Sequence, residues 1–337
     1  MSDATIDRKR LAIAVLALVA GGAAVWVGSA LLVDVTAGWR VPVILVGIAL
    51  ALIGLDRALT ALLRRRIQIA LVLSVAWLVA IVAAAALADF LPLSESLRPD
   101  QTLDVPARLR PDLFSAHPLG TDNQGLDILG GVIYGARVSL IVGCGAVLIG
   151  ALIGGLGGII AGFKRGRTES VLLFLADLLL AFPPLILLLA MVAVLEPSVR
   201  NVTLGLAVLS VPIYLRLARA TTLAVAKREY VLAARVLGAR NRRLVVSEIV
   251  PNVLPVVIAY SFVLVAVLIV AEASLSYLGL SIKRPNPTWG NMIAAGQESF
   301  NRHPHLVFGP GIILFLTVFA LNRVGEAASS KWSRRRR

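Results

Sequence analysis

Eight long apolar runs constrain the fold of this chain more than any other feature of its sequence. Each run continues for about 20 residues with little charge on any face, which is the length that an α-helix needs to cross a bilayer. A helix at the edge of a soluble core would instead have an apolar and a polar face. The composition, 58% hydrophobic and 15% charged, agrees with an all-α polytopic membrane protein. The predicted spans are Leu11–Val33, Val41–Leu63, Ile67–Ala88, Val132–Ala161, Val171–Leu195, Val202–Leu223, Val253–Ala271 and Leu306–Val324.

Basic residues between the runs predict the orientation of the chain. The net charge of +14 is concentrated in short loops and at the termini, as the positive-inside rule describes, so the expected partner is a lipid bilayer and not nucleic acid. The clusters at 64–66, 164–167, 223–251 and 334–337 all fall on one side when both termini are cytoplasmic. The first run is longer than the apolar core of a signal peptide, so an uncleaved anchor is expected.

The loop at 223–251 carries the most specific pattern of the chain. Its first half predicts a short helix with small residues on one side, which would let another protein approach the backbone closely. Gly238 suits the left-handed position that ends such a helix. Residues 240–250 predict a second helix, which Pro251 would stop.

The residues of this loop resemble the "EAA" loop of ATP-binding-cassette importer permeases. The similarity rests on residue types at fixed offsets between two spans, namely Glu229-Tyr230-Val231, Ala233-Ala234, Gly238 and Pro251-Asn252. In that family the loop forms a coupling helix that sits in a groove of the ATPase subunit. The resemblance therefore implies that Glu229, Tyr230, Ala233, Ala234, Gly238 and Pro251 contribute to ATPase coupling. A basic loop that only obeys the positive-inside rule is the alternative interpretation.

The longest polar segment, 89–131, is predicted to lie outside. Its end, with His117-Pro118-Leu119-Gly120-Thr121-Asp122 and then Asp127, resembles the entry to the core of dipeptide, oligopeptide and nickel importer permeases. Leu126 stands where an arginine is usual there, so the contact of that arginine should be absent or moved. Asp122 and Asp127 are candidate outer-loop residues, although each alone is typical of a turn. With His117 they lack the ligand spacing of a metal site.

Two stretches near the last spans carry the same resemblance. Residues 271–280 contain Glu272 close to the outer membrane boundary, where it would either face the transport pathway or reach the lipid headgroups. Residues 285–292 form an outer loop with Trp289, which would either help to cover the pathway or act as an interfacial anchor.

Two patterns inside the spans predict how helices pack. Glycines recur at four-residue intervals from Gly150 to Gly162, which is typical of a face for close helix packing in lipid. The fifth run contains Asp177 and then Phe182-Pro183-Pro184, where prolines predict a kink. Arg216 lies at a matching depth in the next run, so a buried ion pair with Asp177 is expected, and a proton relay is the alternative.

The resemblance divides the chain into three parts. It covers residues 67–328 and implies a six-helix importer permease core. Residues 1–66 then form an additional N-terminal transmembrane hairpin, and 329–337 form a basic cytoplasmic tail.

The expected function is that of a permease subunit of an ATP-driven, binding-protein-dependent importer in a bacterial cytoplasmic membrane, with small peptides as cargo. The sequence has no nucleotide-binding motif, so we expect no catalytic, cofactor or metal site and no cofactor of its own. The implied partners are a homologous second permease, two ATPase subunits that bind ATP, and an extracytoplasmic substrate-binding protein. Two alternatives stay open: uptake of nickel or another small solute by the same machinery, and a proton-coupled secondary transporter.

Overall fold

The computed structural model describes residues 69–112, 114–194, 196–283 and 286–334, together with 16–17, 19–20 and 23–24. The two predicted N-terminal spans, apart from those few helical residues, lie outside the described residues, as does the end of the predicted tail. The chain divides into two units, residues 1–76 and 77–337. The division into a hairpin and a core at residue 66 stays a prediction.

The described residues are mostly helical and contain no β-strand, only an isolated bridge between Thr121 and Asp127. Short 3-10 turns at Ala88–Phe90 and Pro99–Gln101 follow the first helix. The helices are α1 (Ile69–Ala86), α2 (Ile128–Lys164), α3 (Gly166–Leu180), α4 (Pro184–Val194), α5 (Val199–Ala226), α6 (Glu229–Val236), α7 (Asn241–Tyr277), α8 (Trp289–Gln297) and α9 (His305–Arg334).

Five of these helices, α1, α2, α5, α7 and α9, are long and apolar enough to cross a membrane. Helices α3 and α4 together would make a sixth crossing, bent by 81° at the break between them. This confirms an all-α polytopic membrane protein and leaves the count of eight spans a prediction. Helix α7 is longer than the predicted run Val253–Ala271 at both ends. The apolar pattern missed the additional residues because they include polar ones that are helical outside the apolar run.

The break between α3 and α4 lies at the predicted kink. Pro183 and Pro184 have no backbone N–H, so the α-helical hydrogen bonds to the carbonyls of Leu179 and Leu180 cannot form. The helix ends at Leu180, and a new helix starts at Pro184. The change of direction is therefore a full break and not the mild kink that one proline usually causes.

The glycine face of α2 packs directly against α5, as predicted. A Cβ added at Gly154 or Gly158 would overlap the backbone carbonyl oxygens of Val211 and Leu215, respectively. The Ser210 hydroxyl reaches across this contact and donates to the carbonyl oxygen of Ala146 at 3.1 Å. The two helices thus touch backbone to backbone, which only glycine allows at this spacing.

The bundle has two ends, which we call the α6 side and the α8 side after the short helices found there. Segment 87–127 belongs to the α8 side, because the Asn123 side chain donates to the carbonyl oxygen of Ala295 at 2.7 Å. Helix α7 connects the two sides, since it begins just after α6 and ends just before α8. Functional residues predicted on opposite faces of the membrane are thus joined by one helix.

Candidate functional site

Helix α6 is a short helix anchored to the bundle by one side. Its residue Val231 is fully buried and belongs to the same hydrophobic cluster as Leu244 and Ile249 at the start of α7. Glu229 lies in its first turn and Arg235 in its last, which are the favourable ends of the helix dipole for these charges. The buried valine fixes which face of α6 points away from the bundle.

The outward face of α6 is unusually apolar. Val236 and Leu237 are each 87% exposed, and Tyr230 and Leu232 are also exposed. Glu229 and Ala233 share this exposed surface, whereas Ala234 is half-buried. A group of exposed apolar side chains next to small residues is typical of a surface that another protein covers.

Gly238 ends α6 in the left-handed conformation, as predicted. Its φ is +82°, its N–H donates to the Arg235 carbonyl at 3.1 Å, and the Ala239 N–H donates to the Ala234 carbonyl at 3.0 Å. This pair of bonds is the Schellman motif, which favours glycine because a Cβ strains the left-handed backbone. Apart from its two chain neighbours, no residue that the structure describes has an atom within 4 Å of the position of a Cβ at Gly238. The turn is therefore open to a partner.

The prediction that Pro251 stops a second helix is wrong. The helix that starts at Asn241 runs through Pro251 to Tyr277. A π-helical stretch, Leu244–Ile249, comes just before the proline, and the Val250 N–H bonds to the Val245 carbonyl. The wider π turn shifts the hydrogen-bond register, so the helix tolerates a residue without an N–H at this point.

The predicted ion pair between Asp177 and Arg216 forms, but it is not buried in this chain. An Arg216 guanidinium nitrogen lies 2.5 Å from a carboxylate oxygen of Asp177. The Arg216 side chain is 53% exposed and the Asp177 side chain 60% exposed. We expected a buried pair because Asp177 and Arg216 lie at matching depths along their helices. The depth of a residue does not reveal which side of the helix it is on, and this pair lies on an exposed side. A second pair, Glu169 with Arg219, joins the same two helices and was not predicted. Its only sequence signal is that Arg219 follows Arg216 by one helical turn.

Glu272 lies inside this chain, which excludes contact with the lipid headgroups, and its place in the transport pathway stays a prediction. Its side chain is fully buried. The hydroxyls of Ser276 and Ser281 donate to its Oε1 at 2.9 and 3.2 Å, and that of Ser139 lies 3.4 Å from its Oε2. The sequence analysis missed these hydroxyl partners, although Ser276 follows Glu272 by one helical turn.

Trp289 is fully buried, which excludes the interpretation as an interfacial anchor. Its indole N–H donates to the Val132 carbonyl at 3.1 Å. It is the first residue of α8, whose start is closed by a capping box between Thr288 and Asn291. The tryptophan therefore attaches α8 to α2.

Asp127 and Asp122 shape the segment before α2, as the turn interpretation expects. Asp127 caps α2 by accepting from the Gly130 N–H at 2.7 Å, and it also contacts the His117 ring at 3.2 Å. Burial raises the pKa of the Asp127 carboxyl. Asp122 accepts from the N–H groups of Gln124 and Leu126 at 2.7 and 3.1 Å.

Leu126, which replaces the usual arginine, is almost fully buried in this turn. A buried leucine is compatible with the loss of the charged contact. No group of three or more metal-binding side chains occurs in the part of the chain that the structure describes.

These features define a polytopic membrane protein with a short, exposed helix on one side of the bundle. Residues 154–336 match the family model described as binding-protein-dependent transport system inner membrane component. The chain therefore belongs to this family of importer permeases.

Similar proteins come from several bacteria. The chain is 37% identical over 208 residues to the di/tripeptide transport system permease protein of Pseudomonas aeruginosa, covering 62% of this chain and 69% of that protein. It is 34% identical over 219 residues to the glutathione transport system permease protein of Pectobacterium atrosepticum, covering 65% and 73%. It is 36% identical over 211 residues to the dipeptide transport system permease protein of Haemophilus influenzae, covering 63% and 72%.

Proposed function

We propose that this chain is a permease subunit of an ATP-driven importer of small peptides, and that it takes its energy from ATPase subunits bound at α6. The observation that carries the proposal is the exposed apolar face of α6 with the open left-handed turn at Gly238. Glu229, Tyr230 and Ala233 would contact the ATPase directly. Pro251 lies beyond the π turn of α7 and would affect coupling only through the helix.

The α6 side is proposed to be cytoplasmic. Arg240, Arg242 and Arg243 lie between α6 and the π stretch and are all exposed, which fits the positive-inside rule. Both termini are then cytoplasmic, and segment 87–127 and α8 face the outside. This chain has no nucleotide-binding motif, so ATP binding and hydrolysis are assigned to two partner subunits.

The cargo is proposed to be di- or oligopeptides. Similarity to dipeptide, di/tripeptide and glutathione permeases supports this class, since glutathione is itself a tripeptide. A homologous second permease would complete the pathway, and an extracytoplasmic binding protein would deliver the peptide to the α8 side. The exposed Asp177–Arg216 pair then lies on a face that the second permease or the aqueous pathway covers, because an ion pair facing lipid would be costly.

A labelling experiment tests the α6 surface. With Cys144 replaced by alanine, Val236→Cys and Leu237→Cys should react with a maleimide in the isolated chain and become protected when the ATPase subunits are bound. Leu103→Cys is the control, because Leu103 is 85% exposed in the loop on the α8 side. It should react equally with and without the ATPase. Continued labelling at Val236→Cys and Leu237→Cys in a complex that hydrolyses ATP would contradict the assignment.

The cargo is tested in proteoliposomes that contain the full complex and its binding protein. Labelled dipeptide should enter in an ATP-dependent manner, and unlabelled di- and tripeptides should compete. Uptake of nickel without competition by peptides would favour the metal alternative. Uptake that follows a proton gradient without ATP would favour a secondary transporter.

A further inference from the structure

The carboxylate of Glu272 holds together three separate parts of the α8 side. Ser276 belongs to α7 itself, Ser281 to the connection after α7, and Ser139 to α2, and their hydroxyls all approach this carboxylate. No basic side chain pairs with Glu272 among the described residues. A buried carboxylate is costly unless it is well hydrogen-bonded, so these hydroxyls are an obligatory set of partners for it.

The same cluster fastens α8 to α7. The Ser276 hydroxyl, which contacts Glu272, also lies 2.9 Å from the hydroxyl of Thr288, the N-cap residue of α8. Gly290 in the first turn of α8 lies so close to α7 that a Cβ there would come within 2.5 Å of the Ala273 carbonyl oxygen. Helix α8 is therefore attached at its start by polar bonds and by close backbone packing, and Trp289 adds its bond to α2.

The other end of α7 is attached to α6. Helix α6 packs against the π stretch Leu244–Ile249, and its buried Val231 shares a hydrophobic cluster with Leu244. Between this stretch and Tyr277 the helix is continuous, and the 37 residues of α7 correspond to about 55 Å at 1.5 Å per residue. A displacement of α6 can thus reach the α8 side along one helix.

We propose that Glu272 is a positioning residue that locks α8 onto α7, so that α8 moves together with α7 when the ATPase subunits displace α6. This inference rests on the proposed coupling function of α6. In this arrangement α8 is not a flap that opens on its own. The access route on the α8 side opens only when α7 carries α8 with it, and Glu272 keeps the two helices in register during that movement.

The contact between Ser276 and Thr288 allows a direct test. Their oxygens lie 2.9 Å apart, and a cysteine sulfur takes a place near that of a serine or threonine oxygen, so we expect cysteines at both positions to bring their sulfurs close together. We would make Ser276→Cys/Thr288→Cys in a Cys144→Ala background, oxidise the assembled transporter in proteoliposomes, and quantify the link by mass spectrometry. Peptide uptake in the oxidised state should be at least as high as in the reduced state, because the link replaces the attachment that the two substitutions remove and that persists through the cycle.

Two results of this test would overturn the proposal. The first is a link that forms and stops uptake until a reductant is added, since α8 must then separate from α7 during transport. The second is a pair that links in the isolated chain and does not link in the assembled transporter, since Ser276 and Thr288 would then be apart in the complex. If the Cys144→Ala parent complex shows no peptide-stimulated ATP hydrolysis, the proposed function itself fails, which is distinct from a loss confined to the linked variant.

Substitutions of Glu272 test its part in the attachment. Glu272→Ala removes the acceptor for Ser276 and Ser281 and should lower ATP-dependent uptake by about tenfold or more, while peptide-independent ATP hydrolysis stays unchanged. Glu272→Gln keeps an acceptor oxygen and should stay within about threefold of the unsubstituted protein.

The decisive measurement combines the two kinds of variant. The oxidised Ser276–Thr288 cysteine link, introduced into the Glu272→Ala background, should restore uptake, because it replaces the missing attachment between α7 and α8. A carboxylate that only supported folding would give no rescue on oxidation. Unchanged uptake in Glu272→Ala, or no rescue by a fully formed link, would refute the role of Glu272.

Discussion

Gly238→Ala separates the fold of the left-handed turn after α6 from its proposed contact with an ATPase. Gly238 has a φ of +82°, and beyond its chain neighbours no atom of the described residues lies within 4 Å of the Cβ that alanine would add. The substitution should therefore lower the stability of the chain only by the strain of a left-handed alanine, about 1–2 kcal/mol. Any further loss must come from the partner. We expect substrate-stimulated ATP hydrolysis of the reconstituted complex to fall in Gly238→Ala and to be abolished in Gly238→Val, whose side chain extends further.

Gly279 supplies a matched control at the opposite end of α7. Its φ is +74°, and an added Cβ would meet nothing within 4 Å among the described residues other than its chain neighbours. Its turn has the same bonds, from Gly279 N–H to the Ser276 carbonyl at 3.0 Å and from Leu280 N–H to the Leu275 carbonyl at 2.9 Å. Gly279→Ala should lower the melting temperature as much as Gly238→Ala and leave ATP hydrolysis coupled to substrate. Equal loss of coupling in both variants, or normal coupling in Gly238→Val, would refute the placement of the ATPase contact.

Three further predictions concern the bundle. Asp177→Ala and Arg216→Ala should each destabilise the isolated chain in detergent by less than about 1 kcal/mol, because both side chains are more than half exposed. A loss of about 3–5 kcal/mol in denaturant unfolding would show that the pair is buried instead. Gly158→Ala should destabilise the chain by about 1–3 kcal/mol through its overlap with α5. Gly155→Ala should not, because its Cβ meets no other helix within 4 Å in the described part of the chain, and equal melting temperatures of the two variants would contradict the packing. Trp289→Phe should cost about 1–3 kcal/mol, because it removes the indole bond to α2 and leaves a space at a fully buried position. Thermal unfolding that matches the unsubstituted protein would contradict that bond.

Local sequence patterns predicted the structure correctly where a glycine or a proline has a distinct effect on the backbone. The glycines of α2 predicted a helix contact because only glycine lets two backbones touch. Gly238 predicted a left-handed turn because the residue follows a helical pattern and carries no Cβ. The two prolines after Phe182 predicted a disturbed helix, since neither can donate to the preceding turn.

The predictions that failed concern side-chain exposure, which depends on the rotation of a helix about its axis, and the hydrogen-bond register within a helix. Asp177 and Glu272 were placed by depth along a helix, but exposure depends on which way a helix face turns, and neighbouring helices decide that. An interfacial anchor was one of the two interpretations of Trp289, because tryptophan is common at membrane boundaries, whereas its packing and its bond to Val132 of α2 bury it. Pro251 looked like a stop because a π turn is a shift of hydrogen-bond register that no residue type announces.

The break between α3 and α4 has a consequence for water. The prolines leave the carbonyls of Leu179 and Leu180 without helical donors, and Phe182 and Leu185 beside them are exposed. Carbonyl oxygens at membrane depth need donors from another protein or from solvent, since hydrocarbon has none. If the bent pair crosses the membrane, we expect the bilayer next to this break to be locally hydrated or replaced by a neighbouring subunit. A polarity-sensitive probe attached at position 182 should thus report a wetter environment than one attached to the lipid-facing side of α1.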